Sequence, residues 1–374
     1  MKRRKFISRT LYAGGGMFVS SLMSFSEYHI GSSGQNKKLG VALVGLGSYS
    51  SGQLAPALRE TQHCYLAGIV TGTPSKENVW AGKYNIPGKN IYNYHNFDKI
   101  AGNKDIDIVY VVLPNNMHAE YTIRAAEAGK HVICEKPMAI SSEECRNMIA
   151  ACNKAGKKLS IGYRLHFDPY HLKMMELGQH KVYGKLNDIT GGHAFVLRDP
   201  NAWRLDKKMA GGGPLMDLGI YSVQSSIYIS GELPMQISAR NMTKDRDFFK
   251  DIEGSLEWEM QFPSGLRVHR KTSYEERYNY IKVEAEKGIF ELNPAYSYGG
   301  LKGKTPDGPL QFPEVNQQAL QMDAFALAVK QDKQSIVPGE MGLRDLTIME
   351  KIYEAADTGK SVTLKDLTRI LHKV

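Results

Sequence analysis

The sequence is poor in cysteine, with four residues, Cys64, Cys134, Cys145 and Cys152, and none in paired CxxC spacing or beside a histidine cluster. That pattern excludes a zinc site, a redox dithiol and a disulfide scaffold, and predicts buried free thiols with no bound metal. Long apolar runs are also missing. No stretch reaches the roughly 18 apolar residues that a membrane span needs. Charge of one sign is scarce over most of the chain as well. The net charge is +9, but Lys2, Arg3, Arg4, Lys5, Arg9, Lys37 and Lys38 face a single acid, Glu27, before residue 39. The small remainder argues against nucleic acid or a membrane surface as a partner.

What is present fits a soluble globular protein long enough for two domains: 374 residues, 42% hydrophobic and 23% charged. The start, KRRKFISRTLYAGGGMFVSSLMSF, sets Arg3, Arg4 and Phe6 ahead of a mildly apolar, glycine-containing stretch. It resembles a twin-arginine export signal and predicts a periplasmic protein, with the membrane touched only through an uncleaved signal segment. Residues 1–38 are read as this signal and a short arm.

From Leu39, LGVALVGLGSYSSGQLAPAL runs from an apolar strand through a glycine turn into a helix. In that setting Gly45 permits the tight turn and Gly47 lets the backbone approach a pyrophosphate, with Ser50 in place of a third small residue. The next strand, CYLAGIV, ends in Thr71, Gly72 and Thr73 with no acid to take a ribose 2'-hydroxyl, and Lys76 follows. NADP(H) is therefore favoured, with NAD(H) as the alternative. Further strands read as IDIVYVVLP (106–114), KHVICEKP (130–137) and KKLSIGYR (157–164), with helical stretches between them. The alternation predicts a doubly wound parallel sheet over 39–164, with ligands beyond its carboxyl edge, where LPNNMH, EKP and GYRLHFDP fall.

After residue 165 the rhythm changes to longer strands, LNDITGGHAFVL, GSLEWEMQF, LRVHRKTSY and YIKVEAEKGIFEL, around one conspicuous helix. The expectation for 165–374 is an α+β domain with an open, largely antiparallel sheet. Two final helices, near 316–331 and 342–358, are expected to pack back on the first domain. An uncovered apolar face of the sheet is expected to drive association to a dimer or tetramer. In AGGGPLMDLGIY, Gly211, Gly212 and Gly213 are read as letting the backbone approach a ligand, and Pro214 as opening a helix. Asp217 and Tyr221, four apart, then share a face. Hydride transfer from a carbinol needs a base for the hydroxyl proton, and a tyrosine serves when a cation such as Lys136 is beside it. His118 and His193 are the remaining candidates for a base.

Together AGKHVICEKPMA, LPNNMHAE, IGYRLHFDPY, AWRL with AGGGPLMDLGIY, and IYEAADTGK resemble the glucose-fructose oxidoreductase branch of the Gfo/Idh/MocA family. The similarity runs from about Leu39 to Leu367. It implies a catalytic cluster of Lys136, Asp217 and Tyr221, although many dehydrogenase relatives carry histidine at the Tyr221 position. It also implies that Gly45, Leu46, Gly47, Tyr49, Thr71, Lys76, Leu113, Asn115, His118, Glu135, Lys136, Arg164, Trp203 and Arg204 line the cofactor or the sugar. The long cofactor-trapping arm of that branch is reduced here to residues 26–38. The expected activity is oxidation and reduction of a sugar or polyol with a retained nicotinamide cofactor. A redox-neutral glycosidase and a non-catalytic carbohydrate-binding protein are the alternatives.

Overall fold

Leu39–Val44 (β1) is apolar on both faces, as a strand buried between helix layers requires. In the computed structural model, which describes residues 37–364, β1 sits inside a six-stranded sheet with Cys64–Val70 (β2), Ile91–Tyr92 (β3), Ile108–Val111 (β4), His131–Cys134 (β5) and Leu159–Ile161 (β6). The segment 1–38, read above as an export signal and short arm, lies outside the described residues except for Lys37 and Lys38. Strand order is β3-β2-β1-β4-β5-β6 and every pairing is parallel. Order reverses between β1 and β4, and at such a point the connections leave in opposite directions and open a crevice at the carboxyl edge. The helices Pro74–Tyr84, His118–Glu127 and Ser142–Lys154 make the crossovers. All four cysteines are free and buried.

The second sheet holds Leu186–Ala194 (β7), Gln236–Asn241 (β8), Ser255–Gln261 (β9), Arg267–Ser273 (β10), Tyr278–Ala285 (β11), Gly288–Leu292 (β12), Gly303–Thr305 (β13), Gly308–Leu310 (β14) and Val362–Thr363 (β15). Its order is β14-β13-β12-β11-β7-β10-β9-β8-β15. Only β7 and β10 pair in parallel, so the sheet is largely antiparallel as expected. YIKVEAEKGIFEL, read as one strand, is a hairpin of β11 and β12. One face packs on the helix Ile220–Ser230, which is buried almost all round. Helix Gln317–Lys330 lies against β2, and helix Gly339–Thr358 against Ser142–Lys154, Ile220–Ser230 and β8, so both final helices return to the first sheet's side.

The expectation of an apolar outer sheet face is not met. Alternation along the strands sends Val268, Met260 and Ile281 inward and leaves Glu257, Glu259, Arg267, His269, Lys271 and Lys282 on the other side. Cross-strand polar contacts knit this face: the His269 ring nitrogens lie 3.3 Å from Asp188 and 3.2 Å from Glu259, and Arg267 pairs with Asp188 at 3.0 Å.

Candidate active site

The turn after β1 shows what each of its glycines does. Gly45 has φ 95°, and a Cβ there would lie 2.3 Å from the Val112 carbonyl oxygen, so only glycine fits. A Cβ on Gly47 would meet nothing within 4 Å. Its backbone faces open space. Ser50, standing where a third glycine is usual, donates from Oγ to the Gly45 carbonyl at 2.6 Å and ties the turn shut. The chain then winds as a π-type turn over Ser50–Leu54 before Ala55–Ala57 becomes α-helical. Such turns recur at functional sites.

This turn floors a cavity of about 580 Å³ at the β1/β4 crevice. At the end nearest β2 its wall is Thr71, Thr73, Lys76 and Tyr94, with no carboxylate among them. The Lys76 ammonium donates to the Leu46 carbonyl at 2.9 Å, which brings its charge onto the glycine turn. Leu113 and Asn115 line the middle, and Asn115 donates to the Ala210 carbonyl at 2.8 Å, linking the two halves of the wall. A parallel-sheet crevice, an unobstructed Gly47 and a lysine beside the turn fit a nicotinamide dinucleotide, whose pyrophosphate the backbone of Gly45–Gly47 would hold.

At the other end the catalytic candidates converge. Lys136 follows β5 in a turn whose Lys136–Pro137 peptide is cis. Asp217 sits in a second π-type turn, Leu215–Gly219, and Tyr221 in the first turn of the helix that follows. The Lys136 ammonium donates to the Asp217 carbonyl at 2.6 Å and to its Oδ1 at 3.2 Å, and lies 5.0 Å from the centre of the Tyr221 ring. Asp217 Oδ2 accepts from Arg204 Nε at 2.8 Å and from the Tyr274 hydroxyl at 3.1 Å. Burial opposes the Asp217 charge, but Lys136 and Arg204 outweigh it and hold the carboxylate well below its usual range. Burial likewise opposes the Lys136 charge, and Tyr221, Asp217 and Tyr298 outweigh it, keeping the ammonium above the usual lysine range. Asp217 is therefore a carboxylate paired with two cations.

Glu135 is the contrasting carboxylate. Burial pushes it upward, against a hydrogen bond from the Tyr110 hydroxyl at 2.6 Å and the Lys136 charge. Trp203 is half-buried, lines the cavity and carries the Arg204 guanidinium 4.8 Å from its ring centre.

Of the residues expected from the sequence, Gly45, Leu46, Gly47, Tyr49, Thr71, Lys76, Leu113, Asn115, His118, Glu135, Lys136, Trp203, Arg204, Asp217 and Tyr221 all line this one cavity. Arg164 does not. Its guanidinium is drawn behind the wall by the carbonyls of Ser297 at 3.1 Å and Tyr296 at 2.5 Å and by Gln317, and it stacks under Tyr221 and Tyr298 at 5.1 and 4.4 Å. His118 lines the cavity, yet both ring nitrogens are engaged at 2.9 Å, Nε2 with the Leu113 carbonyl and Nδ1 with that of Pro137. It sits between the LPNNMH and EKP turns, and burial shifts it downward against the pull of these two carbonyls, to only one of which a neutral ring can donate. His193 is held down to about 3, by burial first and then by Arg164 and Lys136. Tyr298 was not anticipated: it enters from the loop after β12, lies 5.9 Å from the Tyr49 ring and closes the cavity from the second sheet's side. Tyr274 was missed too, because nothing local marks a strand-end tyrosine as a partner of Asp217.

The geometry defines a dinucleotide-dependent oxidoreductase. Residues 39–163 match the oxidoreductase family with an NAD-binding Rossmann fold, and residues 171–291 match the GFO/IDH/MocA C-terminal domain. The chain belongs to the Gfo/Idh/MocA oxidoreductase family. It is similar to the crystal structure of aldose-aldose oxidoreductase from Caulobacter crescentus complexed with glycerol, at 39% identity and a TM-score of 0.85, covering 88% of this chain and 100% of that one. A D-xylose 1-dehydrogenase [NADP(+)] of Haloarcula marismortui is 25% identical over 334 residues, 86% of this chain and 92% of that protein. The D-glucoside 3-dehydrogenase of Escherichia coli (strain K12) is 27% identical over 281 residues, 69% of this chain and 79% of that protein.

Proposed function

We propose that the protein is an exported sugar oxidoreductase, using NADP(H), in which Tyr221 exchanges the hydroxyl proton of the sugar. The observation that carries this reading is the Lys136 ammonium held between the Asp217 carboxylate and the Tyr221 ring at the wall of the dinucleotide crevice. When bound, the nicotinamide supplies the hydride acceptor or donor. Lys136 stabilises negative charge on the Tyr221 oxygen, which is neutralised when Tyr221 takes the hydroxyl proton of the sugar being oxidised and forms again when it returns that proton to the carbonyl being reduced. Asp217 fixes Lys136 and Arg204, and Trp203 offers a flat apolar face for a sugar ring. Tyr49 and Tyr298 narrow the opening and keep water from the reacting carbon.

NADP(H) over NAD(H) is supported by the absence of a carboxylate on the β2 end of the cavity, by Lys76 on the glycine turn, and by the NADP(+)-dependent relative. Export by the twin-arginine route is supported by Arg3, Arg4 and Phe6 ahead of an apolar stretch. Outside the cytoplasm free nucleotide is scarce, so the cycle we propose oxidises one sugar and reduces another while the cofactor stays bound. Similarity to an aldose-aldose oxidoreductase supports it. Association to a dimer or tetramer through the uncovered charged face of the second sheet is part of the same proposal, and a monomeric mass at micromolar concentration would overturn that part.

Mass spectrometry of nucleotide released from the natively purified protein tests the cofactor, with NADP(H) expected. Incubation with an aldose pair and no added nucleotide should then give oxidised and reduced sugar in equal amounts. A strict need for added nucleotide overturns retention. Release of free sugar from an aryl glycoside with no net oxidation would select the glycosidase instead.

A further inference from the structure

We propose that Glu253 is a positioning residue that holds the catalytic turn in register with Lys136, and that Tyr353, from the last long helix, fixes Glu253 in its place. This rests on the assignment of Lys136, Asp217 and Tyr221 above. Glu253 lies just before β9, is buried, and is not part of the cavity wall. Its Oε2 accepts from the Gly213 backbone N–H at 3.0 Å and its Oε1 from that of Leu215 at 3.1 Å, while the Tyr353 hydroxyl donates to Oε1 at 2.9 Å. The Gly213 carbonyl in turn accepts from the Asp217 N–H at 3.4 Å and the Met216 N–H at 3.1 Å. A line of contacts therefore runs from Tyr353 through Glu253 and the Gly213 peptide to Asp217, and from Asp217 to the Lys136 ammonium.

Sterics enforce the same arrangement. A Cβ on Gly213 would stand 2.1 Å from the Glu253 carbonyl oxygen, and one on Gly212 would stand 2.1 Å from the Tyr353 hydroxyl. Two of the three glycines thus make room for Glu253 and Tyr353. A buried carboxylate without a cation against it carries a desolvation cost, and burial does push Glu253 upward. Three donors on its two oxygens offset that cost, and two of them are the first free amides of the turn bearing Asp217. A displacement of that turn by a fraction of an ångström moves both oxygens that Lys136 uses, and catalysis is sensitive to offsets of that size.

The test compares Glu253→Gln and Tyr353→Phe with wild type in the cofactor-loaded full-length enzyme, measuring kcat, KM for the sugar, nucleotide affinity and melting temperature. Glutamine keeps one acceptor and turns an amide toward the other donor. Glu253→Gln should lower kcat roughly 10- to 100-fold, with KM and nucleotide affinity within about threefold of wild type. Tyr353→Phe leaves the carboxylate in place and should lower kcat about three- to tenfold with the same split. A double-variant cycle with Asp217→Asn, read in single turnovers, should be non-additive, since Glu253 acts through Asp217. Unchanged kcat, full additivity, or a parallel fall in nucleotide affinity each overturn the proposal. If Glu253→Gln does not fold, Tyr353→Phe decides by the same criteria. Near wild-type turnover in Tyr221→Phe would instead overturn the reading on which this one stands.

Discussion

Two glycine-rich turns use their glycines in opposite ways: Gly45 and Gly47 line the crevice, and Gly211, Gly212 and Gly213, read from the sequence as approaching a ligand, do not. At Gly47 nothing protein-derived occupies the position of a missing Cβ, and the space is open to the cavity. At Gly212 and Gly213 the space is filled by Tyr353 and Glu253, and at Gly211, φ 79°, by Ile140 and Met216. Glycine in a sequence marks a close approach, and the structure alone tells what approaches. The first turn is therefore a cradle whose alteration should be felt in binding. The second is a bearing for catalytic side chains, whose alteration should be felt in chemistry and stability.

The largest expected effect lies on the second side. Tyr221→Phe keeps the ring between Lys136 and Arg164 and removes the hydroxyl, so turnover should fall about 100- to 10,000-fold with nucleotide affinity nearly unchanged. Steady-state kinetics at saturating sugar, with a nucleotide titration alongside, checks it. Rates near wild type would break the assignment and the contrast with it.

The contrast itself is sharpened by two alanine variants. Gly213→Ala forces a Cβ against a backbone oxygen and should cost about 1–3 kcal/mol in denaturant unfolding, with turnover falling as Asp217 shifts. Gly47→Ala adds a methyl in open space, should leave the nucleotide-free protein as stable as wild type, and should weaken nucleotide binding on the order of tenfold. A Gly47→Ala variant that melts early but binds normally would show that the two turns are not different in kind.

Most of the cradle was legible in the sequence because its signals are local. An apolar strand, two glycines and a strand end without an acid sit within about 35 residues, and β2 spans the segment CYLAGIV read as a strand. EKP and DxGxY were legible for the same reason. What was not legible depends on distance along the chain or on winding. Glu253 is 40 residues from Gly213, and Tyr353 a further 100 from Glu253. Spacing does not reveal that Asp217 sits in a π-type turn. The β11–β12 hairpin was missed because its turn is Glu286-Lys287, without the Asn-Gly or Gly-Gly punctuation of tight hairpins. Arg164 was placed on the wall by the family resemblance, but carbonyls on the loop after β12 pull its fork behind the tyrosines.

A smaller effect tests the nucleotide end of the cradle. Lys76→Glu replaces the cation on the glycine turn with an anion and should weaken NADP(H) by at least about tenfold while changing NAD(H) much less. Isothermal titration of both nucleotides measures the ratio. Equal weakening would mean that Lys76 only braces the Leu46 carbonyl.

The smallest effect concerns His193, which separates chemistry from stability within the second region. Its ring stacks on Tyr296 at 5.0 Å, its Nδ1 is buried without a hydrogen-bond partner, and it is held down to about 3 by burial and by the Arg164 and Lys136 charges. Unfolded, a histidine titrates near about 6.5. Between these values the unfolded chain binds the proton and the folded chain does not, so stability falls as pH is lowered from about 6.5 toward 3. By pH 5 this one group should cost up to about 2 kcal/mol. His193→Asn removes the titration, so the drop in melting temperature between pH 7 and pH 5 should be shallower than in wild type, although the variant starts lower at pH 7 for loss of the stacked ring. Turnover at pH 7 should change by less than about tenfold, since a histidine held down by burial and by two neighbouring cations is a weak acceptor for the sugar proton. A loss of turnover as large as that of Tyr221→Phe would make His193 the base after all, and an unchanged pH slope would show that its proton is taken up in the folded state.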